Sequence, residues 1–402
     1  MNRLHLFNPG HEEALCIPRE ASYTAPKVVL SMMHDLFMLT TVMADDGDYL
    51  LRYSLNGEYL VYDLSGILVE YIHLPRSLDL KVWAPEPHML DEIKKYFSGK
   101  NIEVTLPVID PDITSLSHRN QSYSCLEYLS RYIPLPSYIL PRWFPCGCEL
   151  QAFHKAIMEA ITLSPLRQAL IKFPFSSSGR GLVYCDAIPE GRQQRMIMNR
   201  WAGKGSLSIE PLLDLSSNWA AEFFISREGM VTFEAYSMFS TSDKGAYQGN
   251  VLMPQHELKQ KLSVEIGSSE TLDEVITLLT QFIHKQYSGH YTGYVGVDML
   301  LYDDKEKIRR LHPCVEINLR NTMGNLAHLI YERICSQGVH GIYHVDYFKS
   351  QAEINKFTTQ MTQSHPAYYD SEGKLTQGFY PITNHDHRAH NFIAYLIVNS
   401  NN

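Results

Sequence analysis

Three oxygen-bearing side chains, Asp298, Glu316 and Asn318, lie within YTGYVGVDMLLYDDKEKIRRLHPCVEINLRNTMG. Two β-rich runs flank a charged turn, DDKEKIRR. Asp298 belongs to the first run. Glu316 and Asn318 belong to the second at i and i+2, a spacing that puts both side chains on one face of a strand. A hairpin paired symmetrically about Lys307 sets Asp298 opposite Glu316. Three oxygen donors then converge without His or Cys, which suits a hard cation, Mg²⁺ or Mn²⁺. Such an ion keeps open positions for phosphate oxygens. A hairpin with acidic groups on a wet face accounts for the turn, but less well for Glu316 and Asn318 inside an apolar run.

A second constellation is IKFPFSSSGRGLVYC. Lys172 closes an apolar strand. Ser176, Ser177, Ser178, Gly179, Arg180 and Gly181 follow, then another β-rich run. This is strand–loop–strand, unlike the strand–loop–helix of a Walker loop. Small residues let consecutive backbone N–H groups close over phosphate oxygens, and serine hydroxyls add donors. A lysine on the rigid strand beside them supplies fixed positive charge. A plain mobile hairpin reads these residues equally well when they stand alone. The third constellation is SLSIEPLLDLSSNWAAEFFIS. One strand ends at Glu210-Pro211-Leu212-Leu213 and the next carries Glu222. A nucleotide base needs an apolar slot and a backbone group at its edge, and a carboxylate suits ribose hydroxyls. Taken alone, Glu210 and Glu222 fit solvated strand-edge carboxylates better.

The elements that must position these residues read as α/β and α+β. Residues 1–115 form a small α/β domain. RLHLF is a strand ending at Asn8-Pro9-Gly10, and apolar residues at 25–44 have helical spacing. LLRYSLNGEYLVYDL is a hairpin about Asn56-Gly57, residues 88–98 are helical, and 102–106 form a strand. Residues 116–150 are a proline-containing linker with a helix near 120–132. Residues 151–226 alternate helix (152–162), strand (169–173), loop, helix (190–201) and strands (206–210, 219–226). Residues 227–402 continue with further strands, a helix at 271–287, strands at 293–302 and 311–319, and a terminal strand or helix at FIAYLIV.

In chain order, Lys172 with its Ser/Gly loop, EPLL, Glu222 and GVD…VEINLR resemble the ATP-grasp superfamily over about residues 120–340. The resemblance implies two α+β lobes around a nucleotide, preceded by a small Rossmann-like domain. On that pattern 151–226 is the small lobe and 227–402 the large lobe. Lys172 contacts the α/β-phosphates, and 176–181 (with Ser176, Ser177, Ser178, Gly179 and Gly181) is the lid loop. Glu210 and the backbone around Leu212 frame adenine, and Glu222 holds ribose. Asp298, Glu316 and Asn318 ligate one or two Mg²⁺, and Arg320 faces the γ-phosphate or an acyl phosphate. The implied cofactors are ATP and Mg²⁺ (or Mn²⁺). The implied activity is ligation: a small carboxylate is phosphorylated and an amine or thiol attacks the acyl phosphate. An ATP-grasp kinase and an inactive nucleotide-binding regulator are the alternatives. One departure is visible. Many members carry a further ATP-binding lysine about fourteen residues ahead of an IPLP-like segment. Here Ile133-Pro134-Leu135-Pro136 is preceded by Arg119-Asn120 at that position.

The bulk properties narrow the class. Hydrophobic content of 45% and charged content of 20% describe a globular chain. A net charge of -9 argues against nucleic acid or an anionic membrane as the main partner. No apolar run approaches the ~20 residues a spanning helix needs. The start lacks a signal-peptide pattern, and seven scattered cysteines read as reduced thiols, so a cytoplasmic protein is expected. Cys146 and Cys148 lack a second ligand pair and read as loop thiols. His385, His387 and His390 read as structural or solvated histidines, since no further ligand stands at metal spacing. Residues 239–250, with Lys244, fit a substrate loop or an ordinary one. Asn8 to Glu12 fit either part of a substrate pocket or a plain turn.

Overall fold

The computed structural model describes residues 2–402 except 20, 22, 177–180, 243–244, 384–390 and 400–402. Ser177, Ser178, Gly179, Lys244, His385, His387 and His390 therefore lie outside the described residues. The chain divides into two compact units. One comprises residues 1–110, 247–257 and 320–402, and the other 111–246 and 258–319. This partition differs from the four consecutive segments read in the sequence, because residues 320–402 cluster with 1–110.

Along the chain the strands are β1 (Arg3–Leu6), β2 (Tyr49–Tyr53), β3 (Tyr59–Tyr62), β4 (Ser77–Val82) and β5 (Glu103–Thr105), then β6 (Arg142–Pro145), β7 (Ala169–Lys172), β8 (Leu182–Cys185) and β9 (Ser206–Pro211). There follow β10 (Asp214–Ile225), β11 (Val231–Thr241), β12 (Tyr247–Leu252), β13 (Gly293–Asp303) and β14 (Arg309–Asn318). The last are β15 (His340–Tyr347), β16 (Tyr368–Tyr369), β17 (Leu375–Pro381) and β18 (Phe392–Asn399).

In the first unit β1–β5 make one sheet in the order β3-β2-β1-β4-β5. Strand β1 runs parallel to both β2 and β4, so the chain leaves it in opposite directions, the strand-order reversal of an open α/β sheet. The hairpin read at Asn56-Gly57 is present: β2 and β3 pair antiparallel, and Gly57 has φ +83°, which glycine adopts at no steric cost. The long helix expected over 25–44 is instead an α-helix, Lys27–Asp35, followed by a 3₁₀ segment, Phe37–Met43. Leu36 between them leaves helical geometry at φ -105°, ψ 9°. The reason lies in packing. Leu36, Leu39 and Val42 join a core with Phe7, Trp83, Leu326 and Ile330, and the tighter turn aims them there. FIAYLIV is strand β18, bonded on one side to β15 and on the other to β17.

The second unit holds two antiparallel sheets. The smaller has the order β6-β9-β7-β8. Its core of Phe153, Ile157, Ile171, Ile197, Trp201 and Ile209 is completed by helices Leu150–Leu163 and Gly191–Lys204. Strand β6 comes from the expected linker: Arg142 to Pro145 pair with Ile209 to Ser206. The larger sheet of this unit runs β14-β13-β10-β11. Helix Ser269–Tyr287 buries Leu272, Val275, Leu279 and Ile283 and packs on β10 and β11. Helix Gln121–Leu129 packs on β14, with Cys125, Leu126 and Leu129 buried. Among the described residues no helix is long and apolar enough to cross a membrane.

Candidate active site

The hairpin of β13 and β14 delivers the carboxylates as expected: Asp298 pairs with Glu316, and Gly296 with Asn318. The route is less simple than symmetry about Lys307. Near the turn, Asp303 pairs with Arg309 and Leu300 with His312, so the pairing centres on residue 306. Between Leu300 and Asp298, β13 advances two residues while β14 advances four, from His312 to Glu316. Pro313 lies in this bulge, where the missing N–H cannot interrupt a ladder bond. Two extra residues preserve the alternation, so Glu316 and Asn318 still share a face.

The rows extend onto β10. Asp298 is flanked by Ala220 on one side and Glu316 on the other, and Gly296 by Glu222 and Asn318. Glu222 is 1% exposed and accepts from Ser237 Oγ at 3.2 Å. Asp298 has the small residue Ala220 as its neighbour on β10, and Asn318 has Gly296 as its neighbour on β13. Among the described residues no group of three His, Cys, Asp or Glu side chains gathers as for a metal. The donor set here is two carboxylates and an amide, all oxygen, which fits a hard divalent ion that completes its shell with phosphate oxygens and water.

On the smaller sheet Lys172 lies opposite Ser208, and Leu170 opposite Glu210. Lys172 Nζ is 2.6 Å from Glu210 Oε2, and both side chains are largely buried. Ser208 Oγ donates to Glu210 Oε1 at 3.2 Å. The ammonium is therefore fixed by a carboxylate two residues ahead of Leu212. Leu212 spends its N–H on Gln168 O, and its carbonyl accepts from Ser164 Oγ.

Arg119 joins the two sheets. It lies just before helix Gln121–Leu129, and its carbonyl is held by the Ser122 hydroxyl at 2.8 Å. The guanidinium is buried. Its Nε and Nη2 donate to Glu316 Oε1 at 3.1 and 2.7 Å. Nη1 donates to Phe173 O at 2.9 Å and Ser176 Oγ at 3.2 Å, and Nη2 to Ser176 O at 2.9 Å. The loop root after Lys172 is thereby tied to the carboxylate of β14. The root is narrow: a Cβ on Gly181 would collide with the Ser176 side chain, and Phe173 N donates to Gly181 O at 3.2 Å. Phe175 sits at φ +54°, costly for an aromatic residue, with its ring edge-on to His118 at 5.1 Å.

Two further residues carry perturbed ionisation that the sequence pattern does not signal. His312 is buried on β14 opposite Leu300, and its pKa falls to about 3, first through burial and then through the Lys172 charge. Cys314 has its thiol pushed well up by burial, with Cys125, Asp298 and Glu316 adding to the effect.

Arg320 forms an ion pair with Glu12 within the first unit. Its Nε donates to Glu12 Oε1 at 2.8 Å. Burial favours the neutral acid of Glu12, but His11 and the Arg320 guanidinium outweigh it and hold its pKa at about 2. His11 is pushed down to about 4 by burial. Glu12 and Arg320 are thus a charged pair at neutral pH with a neutral imidazole beside them. Asn8 brackets the same corner, donating to Ala84 O and accepting from Ala84 N.

No family model matches the chain, and no curated protein matches it. Solved structures with a partly similar backbone include an N5-carboxyaminoimidazole ribonucleotide synthetase in complex with ADP. That match has 11% identity and a TM-score of 0.48, covering 100% of this chain and 92% of the other. The biotin carboxylase domain of Hydrogenobacter thermophilus 2-oxoglutarate carboxylase, with MgADP and bicarbonate, gives 12% identity and a TM-score of 0.43, covering 80% and 70%. D-alanyl-alanine synthetase A from Vibrio cholerae gives 11% identity and a TM-score of 0.42, covering 80% and 89%.

Proposed function

We propose that the chain is an ATP-grasp ligase that uses MgATP to activate a small carboxylate for attack by an amine or thiol. The observation that carries this reading is the double grip of Arg119. One guanidinium bonds the loop root that follows Lys172 and the carboxylate opposite Asp298. A phosphate-type lysine and loop and an all-oxygen cation set thus belong to one compact unit, although they are far apart in sequence.

Lys172, held by Glu210, is assigned to the α/β-phosphates, with residues 176–181 as the cover over them. Glu210 and the backbone around Leu212 frame adenine. Glu222, oriented by Ser237, takes the ribose hydroxyls. Asp298, Glu316 and Asn318 would hold Mg²⁺, whose charge neutralises the polyphosphate. Arg320, two residues beyond Asn318, is assigned to the transferring γ-phosphoryl group or the acyl phosphate. Phosphoryl transfer needs position and charge neutralisation more than a protein nucleophile, and this residue set supplies both. A carboxylate oxygen of the substrate bonds to the γ-phosphorus as ADP leaves. The amine or thiol then bonds to the acyl carbon as inorganic phosphate and a proton leave.

A screen of amino acids and other small carboxylates, alone and with amines or thiols, tests the reading by ADP release. Release that requires two co-substrates is the expected result. Release with one substrate and a stable phosphorylated product would make the chain a kinase.

A further inference from the structure

We propose that the Arg119 guanidinium occupies the cation's place at Glu316 in the nucleotide-free chain, so that metal and guanidinium compete for Glu316 Oε1. Metal capture is thereby coupled to release of the loop root at Phe173 and Ser176. The inference rests on the metal reading above and goes beyond it in assigning Arg119 a positioning role.

A guanidinium carries five N–H donors in a fixed plane and keeps its charge at every working pH. Here five hydrogen bonds leave it: two to Glu316 Oε1, one to Phe173 O, one to Ser176 Oγ and one to Ser176 O. All five are spent on a carboxylate oxygen and the loop root. A lysine has three donors and no plane, and could not hold both sides in this way.

The occupied oxygen belongs to the carboxylate that faces Asp298 across the hairpin. An ion binding Glu316 through Oε1 must displace the bonds from Nε and Nη2. Because the guanidinium is planar, swinging Nη2 away also disturbs its bond to Ser176 O. The displaced guanidinium still carries its charge and repels a bare dication in a partly dry site. A nucleotide polyphosphate supplies the negative charge that both cations need. The chain should therefore hold a divalent ion poorly on its own and well together with ATP, and by linkage ATP should bind poorly without the ion.

Mn²⁺ titration of the full chain, followed by electron paramagnetic resonance without nucleotide, tests this. Arg119→Met removes the competing charge and should tighten Mn²⁺ on the order of tenfold, since charge-assisted hydrogen bonds to Glu316 no longer have to be broken. The gain should vanish in Arg119→Met/Glu316→Gln. Arg119→Lys, a milder change should the first variant fail to fold, should show a smaller gain. Hydrogen exchange at residues 173–176 should speed up in Arg119→Met. Mn²⁺ affinity equal to or weaker than the parent's in the folded variants would overturn the proposal, even if the parent binds Mn²⁺ tightly with ATP. If no variant holds Mn²⁺ with or without ATP, the metal reading falls and this inference falls with it.

Discussion

Lys172 and Glu210 form a largely buried ion pair, Nζ to Oε2 2.6 Å, on neighbouring strands of the smaller sheet. A lysine assigned to phosphate therefore has a second task, neutralising a carboxylate. Removing one partner of such a pair leaves the other uncompensated. Lys172→Ala should lower turnover on the order of 10²–10³-fold, the cost of losing one fixed electrostatic contact. It should also lower the melting temperature. Lys172→Met/Glu210→Gln separates the two effects: the double variant should recover stability but not ATP affinity. Recovery of ATP binding in the double variant would show that Lys172 serves only Glu210.

The two strand carboxylates, Glu316 and Glu222, should respond differently to the same isosteric change. Glu316→Gln removes charge from the proposed metal strand and should reduce kcat on the order of 10²-fold or more. Glu222→Gln keeps an acceptor for ribose hydroxyls and the shape beside Ser237, so mainly the KM for ATP should rise. Steady-state ADP release at saturating Mg²⁺ measures both. A larger kcat loss in Glu222→Gln would mean that the cation lies over β10 instead of β14.

Acid stability should report on His312. Its folded-state pKa, about 3, lies below the ordinary 6.5 because burial and Lys172 disfavour the imidazolium. The unfolded chain thus binds the extra proton first. The contribution is fully present above the ordinary pKa and is lost as pH falls through the window down to about 3. One such group gives a slope of about 1.4 kcal/mol per pH unit inside the window. His11, pushed down to about 4, acts in the same sense. His312→Gln should flatten the fall in melting temperature between about pH 6 and about pH 4. Parallel falls for parent and variant would place His312 in contact with solvent.

The chemistry that was legible in the sequence is the chemistry carried by local period. Glu316 and Asn318 share a face because strands alternate, and Asp298 faces Glu316 because a hairpin brings near neighbours together. The bulge at Pro313 was not legible, yet its two extra residues leave the alternation intact. FIAYLIV was ambiguous because a short apolar run has no period of its own, and pairing with β15 and β17 decides it. The ion pairs Arg119–Glu316, Lys172–Glu210 and Glu12–Arg320 were not legible as pairs, because nothing local couples residues so far apart in the chain. The one trace was Arg119 at a position where many members of the family that the sequence resembles carry lysine. An arginine suits the geometry: a fork can hold the loop root and Glu316 together.

ATP is proposed to bind this chain as its magnesium complex. Isothermal calorimetry of a non-hydrolysable ATP analogue, in excess Mg²⁺ and in EDTA, measures this dependence. The oxygen set Asp298, Glu316 and Asn318, with Arg119 to be moved off Glu316, predicts binding in Mg²⁺ that is weakened on the order of tenfold or more in EDTA. Equal affinity in the two buffers, or no binding in either, would contradict binding of the magnesium complex.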